Sequence, residues 1–156
     1  MKPETKFWQE VRKKMSKIRW TRIENISVPG VPDLLGYNKN HTFFTVELKV
    51  TTSNKIRFSP HQIAFHMTHP LNSFILVKHL ASRDVKLYEG QQIEELAACG
   101  LKLEPLCSGL AACCLFLEQL GAWSLRFEKL DAWSLTLAAC SLRLAASGLS
   151  SNIFRY

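Results

Sequence analysis

One β-hairpin constrains the fold of this chain more than any other part of its sequence. Residues 33–37 and 42–51 are predicted as strands, and residues 38–41 (Asn-Lys-Asn-His) as the turn between them. Pro32 stands directly before the first strand, a position where proline is tolerated. If the turn is centred on Asn40, the numbers of opposing residues sum to about 80, so Asp33 is expected to face Glu47.

Helices and further strands are predicted on both sides of this hairpin. A first helix is predicted over residues 3–18, with an apolar stripe at helical spacing, and a strand over residues 20–26. A second helix is expected to start at Pro60, capped by Ser59, and to end before Pro70. Two more strands are predicted over 74–79 and 85–89. This order indicates an α/β fold.

The last third of the chain differs in composition. After a candidate closing helix at 91–98, the sequence is rich in Leu, Ala, Ser and Cys. It repeats short motifs such as LAAC and AWSL. The irregular intervals between the copies argue against a solenoid. Three interpretations stay open: apolar helices on the core, a dimerising surface, or a segment without settled structure. We therefore predict a core domain at 1–90 and a C-terminal segment of unknown role at 91–156.

Composition indicates a protein that stays inside the cell. No run of eighteen uncharged apolar residues is present, and the charged start of the chain does not resemble a signal peptide. The five cysteines form an odd number and contain no CxxC pair, which argues against a disulfide framework and a structural zinc site. We expect a cytoplasmic protein with no membrane segment and with reduced thiols.

The positive charge is concentrated in the first ninety residues. Residues 1–90 carry 15 Lys/Arg against 7 Asp/Glu, whereas residues 91–156 carry 5 against 6. A localised basic excess is typical of proteins that bind nucleic acid, because contact with phosphates releases counterions. A well-solvated basic surface is an equally good interpretation of charge alone.

The hairpin also places acids and a lysine together. Side chains alternate along a strand, so Glu47 and Lys49 share one side, while the apolar residues between and beside them face the core. Cross-strand partners have Cβ atoms roughly 4.5–5.5 Å apart, so Asp33 and Glu47 are close enough to share a divalent ion. Oxygen ligands and a phosphate substrate favour Mg²⁺ or Mn²⁺. Lys49 is expected to orient the attacking water or to offset charge in the transition state.

At these residues the sequence resembles the PD-(D/E)xK nucleases, nearest to their VRR-NUC and Holliday-junction-resolvase-like branch. The matching sequence segments are VPGVPDLLG, TVELKV and SPHQ, all within residues 1–90. The residues that carry the resemblance are Gly30, Pro32, Asp33, Glu47, Lys49 and Gln62.

The resemblance implies a restriction-endonuclease-like core, a mixed sheet flanked by helices, and Mg²⁺-dependent hydrolysis of DNA phosphodiesters. It also implies metal binding by Asp33, Glu47 and the backbone carbonyl of Leu48. Glu4 matches an acid on the first helix that assists at the metal, and Gln62 matches a helix glutamine that supports the site. Enzymes of this kind act as dimers, so a homodimer is expected.

Basic residues near the site are candidate DNA contacts. Lys55, Arg57 and His61 follow the ExK strand and border the proposed site, although a solvated loop is an alternative interpretation. A second set of candidates, on the first helix, is Lys13, Lys14 and Lys17.

The main hypothesis is a metal-dependent DNA endonuclease, including an enzyme selective for junctions or branched DNA. The alternatives are a site-specific enzyme of the homing or restriction type, a non-catalytic DNA-binding module on the same fold, and an oligomerisation protein.

Overall fold

The structure is a computed structural model that describes residues 2–23 and 29–122. Its described residues form a six-stranded mixed sheet in the order β1-β2-β3-β4-β5-β6, flanked by helices. Neighbouring strands are antiparallel except β3 and β4, which are parallel and are joined by helix α2. The predicted α/β class, with a mixed sheet between helices, is confirmed. The elements are α1 (Pro3–Lys14), β1 (Arg19–Arg22), β2 (Leu34–Tyr37), β3 (Phe43–Thr51), α2 (Pro60–Thr68), β4 (Ser73–His79), β5 (Val85–Glu89), α3 (Ile93–Cys99), β6 (Cys107–Ser108) and α4 (Leu110–Gln119).

Each face of the sheet has its own apolar core. On one face, the buried stripe of α1 (Phe7, Val11) and residues of α4 cover the side of β3 that carries Phe44, Val46 and Leu48. The other face carries a smaller cluster under α2 and α3, formed by Ile56, Ile75, Val77, Tyr88, Ile93 and Leu96. The predicted alternation along β3 is therefore confirmed: its even-numbered residues face the larger core.

Helix α1 is shorter than the sequence predicts. It ends at Lys14 instead of residue 18, although Met15 and Ile18 of the predicted stripe are both buried. Three basic residues fill its last turn, where they interact favourably with the helix dipole. The chain then turns through a hydrogen bond from the Ile18 N–H to the Met15 carbonyl and enters β1.

Helix α2 starts where the sequence predicts. Ser59 Oγ accepts a hydrogen bond from the Gln62 N–H at 3.2 Å, and Gln62 Oε1 accepts one from the Ser59 N–H at 3.0 Å. This reciprocal pair satisfies two of the amides that a helix start leaves without partners. It also fixes the Gln62 side chain at the end of the helix nearest the candidate site.

The compact unit continues beyond residue 90. It spans Met1–Leu120, with β6 pairing to β5 and α4 covering the larger core. A 3₁₀ turn at Gly90–Gln92 leads into α3, in the region of the predicted closing helix. Later copies of the repeated words, and residues 24–26 of the predicted first strand, lie outside the described residues. No described helix is both long and apolar enough to cross a membrane.

Candidate functional site

The β2–β3 register places Asp33 and Glu47 as the hairpin pattern predicts. Leu34 pairs with Val46, so opposing numbers sum to 80 up to the first residue of β2. Asp33 directly precedes that residue, and its Oδ2 accepts a hydrogen bond from the Leu48 N–H at 2.8 Å. The Asp33 carboxylate therefore takes the place of a backbone acceptor beside β3, one residue from Glu47.

Glu47 is a buried acid with one oxygen that has no partner. The residue is 2% exposed. Its Oε1 accepts from the Lys49 ammonium at 3.0 Å and from the Gln62 side-chain amide. Its Oε2 is buried without a hydrogen bond among the described residues. Since leaving a buried acceptor unpaired costs roughly 1–3 kcal/mol, this oxygen marks a position for a missing partner.

Lys49 is held in place by three contacts on the same side of β3. Its Nζ donates to Gln62 Oε1 at 3.1 Å, contacts Glu47, and lies 5.5 Å from the ring centroid of Phe58. The lysine side chain is only 16% exposed, so most of it is shielded from solvent. Gln62 thus joins the lysine, the buried acid and the start of α2 in one hydrogen-bond network.

Burial disfavours the charged forms of both acids. It raises the pKa of Glu47 to about 7, and the neighbouring Asp33 carboxylate contributes to that increase. Burial also raises the pKa of Asp33, against the lowering effects of the Leu48 N–H and Lys49. Two carboxylates in this situation are stabilised in their charged form by a cation.

Gly30 fixes the loop that leads into Asp33. Its φ is +90°, and a Cβ at this position would lie 2.4 Å from the backbone oxygen of His61. Only glycine combines this backbone conformation with such a close approach. The loop before β2 therefore lies directly against the first turn of α2, which brings Asp33 and Gln62 to the same part of the molecule.

The residues present fit a hard divalent cation. Asp33, the unpartnered Glu47 oxygen and backbone carbonyls beside β3 are oxygen donors of the kind that Mg²⁺ and Mn²⁺ prefer. The described part of the chain has no group of three or more His, Cys, Asp or Glu side chains that could hold a metal ion. A cation at this site would need carbonyl or water oxygens in addition to the two carboxylates.

A cleft of about 600 Å³ opens beside this site. Lys49 and Glu4 line it together with two of the predicted DNA contacts, Lys55 and Arg57. Glu4 is exposed, and its charge raises the pKa of both Asp33 and Glu47. The sequence reasoning missed Lys2 in the wall of this cleft and Phe58 beside Lys49. Lys2 directly precedes α1, and Phe58 lies in the irregular loop between β3 and α2, so no periodic pattern specifies either position.

The other predicted DNA contacts lie elsewhere. His61 is exposed on the first turn of α2 and does not line the cleft. Lys13 and Lys14 are exposed in the last turn of α1. The Lys17 ammonium lies 3.5 Å from the Glu118 carboxylate of α4, with a lysine side chain that is 74% exposed. The three lysines do not line the cleft beside the acids.

Comparisons with known proteins add a structural likeness. The chain is similar to the solved structure of Hjc, a Holliday junction resolvase from the archaeal hyperthermophile Archaeoglobus fulgidus. The identity is 13% and the TM-score 0.47, over 58% of this chain and 75% of that chain. No protein-family model matches the chain, and no curated protein sequence matches it. Its function is therefore inferred from the geometry of the site.

Proposed function

We propose that this protein is a divalent-metal-dependent nuclease that hydrolyses DNA phosphodiester bonds at the Asp33–Glu47–Lys49 site. The observation that carries the proposal is the buried Glu47 oxygen without a partner, next to a second carboxylate and an ordered lysine. A purely structural pair would consist of Glu47 and Lys49 alone. It would not need Asp33, nor would it leave an oxygen unsatisfied.

Asp33, Glu47 and the backbone carbonyl of Leu48 would hold the cation. The Leu48 N–H donates to Asp33, and in a strand the N–H and C=O of one residue point to the same side. The Leu48 carbonyl is therefore directed to the edge where Asp33 lies. A bound Mg²⁺ or Mn²⁺ would supply an activated water and neutralise charge on the phosphate.

Lys49 would act on the substrate side of the site. Gln62 and Glu47 hold its ammonium in one position, and the residue also lines the cleft. A fixed positive charge there stabilises the negative charge that develops on a phosphate oxygen during attack. Gln62 is a positioning residue, because its side-chain amide holds Lys49 and Glu47 in place and supplies neither a carboxylate nor a charge to the site.

The basic wall of the cleft would bind the nucleic-acid backbone. Lys2, Lys55 and Arg57 line an opening large enough for a phosphodiester, which Lys49 also lines but Asp33 and Glu47 do not. Their charge attracts phosphates and releases counterions, so binding is expected to weaken as salt increases. Since backbone contacts carry no sequence information, this wall favours recognition of DNA form over base sequence.

The test is cleavage of plasmid and branched DNA by the full chain. We expect cleavage with Mg²⁺ or Mn²⁺ and none with a chelator. Asp33→Asn and Glu47→Gln should each reduce the rate more than about 100-fold, since even groups behind a metal ligand contribute 10–100-fold. Asp33→Asn keeps an oxygen that can accept from the Leu48 N–H, so the fold should survive. Asp84→Asn, on an exposed turn, is the control.

Equal cleavage by the wild type and both site variants would refute the catalytic assignment. Salt-sensitive DNA binding without cleavage by any of the proteins would instead identify a non-catalytic DNA-binding module. A panel of duplex, nicked, flapped and four-way substrates then defines which DNA form is cut.

A further inference from the structure

A row of three side chains, of which the outer two are exposed, crosses three strands at the far end of the hairpin. Tyr37 of β2 pairs with Arg19 of β1 on one side and with Phe43 of β3 on the other. The Tyr37 and Phe43 rings lie 4.5 Å apart between centroids, and Phe43 is 59% exposed. The two rings form a joint surface on which Phe43 is open to solvent and Tyr37 is half-buried.

Positive charge lies beside the Tyr37 ring. Another cleft, of about 360 Å³, is lined by Tyr37 together with Lys17, Arg19 and Lys39, and none of the described acidic residues lines it. Within residues 2–23 and 29–122, neither Arg19 nor Lys39 takes part in an ion pair. Arg19, Tyr37, Lys39 and Phe43 are named the aromatic–basic patch.

The turn next to this patch is fixed to the body of the protein. Asn38 Nδ2 donates to the Leu117 and Leu120 carbonyls at 2.9 and 2.8 Å. Asn40 Nδ2 donates to the Leu120 carbonyl at 3.2 Å. The Asn38 Oδ1 also accepts from two amides of the turn, those of Asn40 and Thr42. Because α4 anchors the turn in this way, a ligand on the patch meets a preorganised surface.

The patch lies on the same face of the sheet as the candidate metal site. Side chains alternate along a strand, so Phe43 and Glu47 of β3 point to the same side. Four residues of strand span about 13 Å, which corresponds to about four phosphate intervals of stacked nucleic acid. A single nucleic-acid strand could therefore reach both places.

We propose that the aromatic–basic patch binds unpaired nucleotides about four positions from the phosphodiester that the Asp33–Glu47 site would cleave. This inference rests on the proposed nuclease function and adds the substrate class, a nucleic acid with unpaired bases near the cut. Exposed rings offer a stacking surface to any base that is not already in a helix, and Arg19 and Lys39 match the phosphates. A base inside a duplex offers neither face to Phe43.

Charge argues against a second copy of the chain as the occupant. A symmetric contact through the patch would bring its arginine and lysine side chains next to their equivalents. Interface cores are depleted of charged residues, and like charges held together oppose association. The same positive charge favours a polyanion.

The experiment measures binding with a chelator present, so that no cleavage occurs. The probes are a short blunt duplex and the same duplex with a single-stranded extension at either end. A fluorescent adenine analogue in the extension reports base stacking. The proteins are the full-length wild type, Phe43→Ala, Phe43→Leu and Leu115→Ala. Leu115 is a matched control, because it is also 59% exposed but lies on α4.

We expect Phe43→Ala and Phe43→Leu to weaken binding of the extended probes about 5- to 150-fold, the range of losing one base–aromatic stack. Binding of the blunt duplex should not change, and Leu115→Ala should match the wild type. Arg19→Ser should weaken binding of the extended probes. It should also reduce the slope of log affinity against log salt concentration by about 1, the loss of one phosphate contact.

Equal binding of the extended probes by wild type and both Phe43 variants overturns the inference. So does an equal loss on both probe types, or a lower mass in solution for Phe43→Ala, which would identify a surface for self-association. The outcomes separate this inference from the nuclease proposal. A wild type that cleaves, with Phe43 variants that bind normally, refutes only the patch. Selective loss of binding in a protein that never cleaves refutes only the nuclease.

Discussion

Replacing Glu47 by glutamine should make the metal-free protein more stable while it removes catalysis. In the folded chain, burial raises the pKa of Glu47 from 4.5 to about 7. Folding therefore favours the protonated acid, and the wild type loses stability as the pH rises from the unfolded pKa through the folded one. Glutamine is a neutral substitute that does not titrate, so it avoids this loss.

The magnitude follows from the size of the pKa shift. One pKa unit corresponds to 1.36 kcal/mol, so an increase from 4.5 to about 7 corresponds to about 3 kcal/mol at pH 8. At pH 5 most of this difference has disappeared, and less than about 1 kcal/mol is expected. The amide oxygen that Glu47→Gln introduces can still accept from Lys49, which limits the loss of hydrogen bonds.

The assay is urea unfolding of both proteins with a chelator present, at the two pH values. Glu10→Gln is the control, because that acid pairs with Lys78 away from the site and its loss should not stabilise the protein. Adding Mg²⁺ at 100 times its dissociation constant should stabilise the wild type by about 2.7 kcal/mol and leave Glu47→Gln nearly unchanged.

Two results would refute the reasoning. If Glu47→Gln is no more stable than the wild type at pH 8, the ionised Glu47 carboxylate does not lower the folding stability of the wild type. If Mg²⁺ stabilises both proteins equally, Glu47 is not a ligand.

Two further predictions test the surroundings of the site. Burial lowers the pKa of His66 to about 4, so its contribution to stability is present above pH 6.5 and falls by about 2 kcal/mol from pH 7 to pH 5. The stability difference between wild type and His66→Gln should shrink by that amount in urea unfolding, and a constant difference contradicts the assignment. Gly30→Ala should lower the free energy of unfolding by more than the roughly 1–3 kcal/mol of backbone strain alone, because the added Cβ would clash with His61. It should also slow cleavage. Gly109→Ala is the control, with a φ of +88° but no atom within 4 Å, and equal thermal destabilisation of the two variants would refute the close contact.

Local patterns in the sequence were enough to predict the centre of the site. The turn at Asn40 sets the register of two strands, and the register sets which residue faces Glu47. Alternation then places Lys49 on the side of Glu47. The start of α2 was predictable for the same reason, because Ser59 and Gln62 form their cap within four residues of chain. Each of these inferences needs only neighbouring residues.

Contacts between distant parts of the chain could not be predicted in this way. The hydrogen bond from Asn38 to the Leu117 carbonyl joins residues 79 positions apart, in a region without a clear pattern. The row Arg19–Tyr37–Phe43 depends on how β1 pairs with β2, and the sequence from 24 to 32 gives no register for that pairing. The unpartnered oxygen of Glu47 depends on which atoms Gln62 and Lys49 contact, which no residue pattern specifies.

The two ends of the hairpin differ in their chemistry. Glu47 and the neighbouring Asp33 lie towards one end of the hairpin, and the ring of Phe43 lies at the other, beside the turn that is anchored to α4. A hairpin that served only the fold would gain stability from burying Phe43 and from satisfying Glu47, and it does neither. The exposed Phe43 ring and the unpartnered Glu47 oxygen both lie on one face of β3. The distance between them corresponds to about four nucleotides. A polymer with negative charge and stackable bases compensates for both at once, whereas a small phosphate ester reaches only the acidic end.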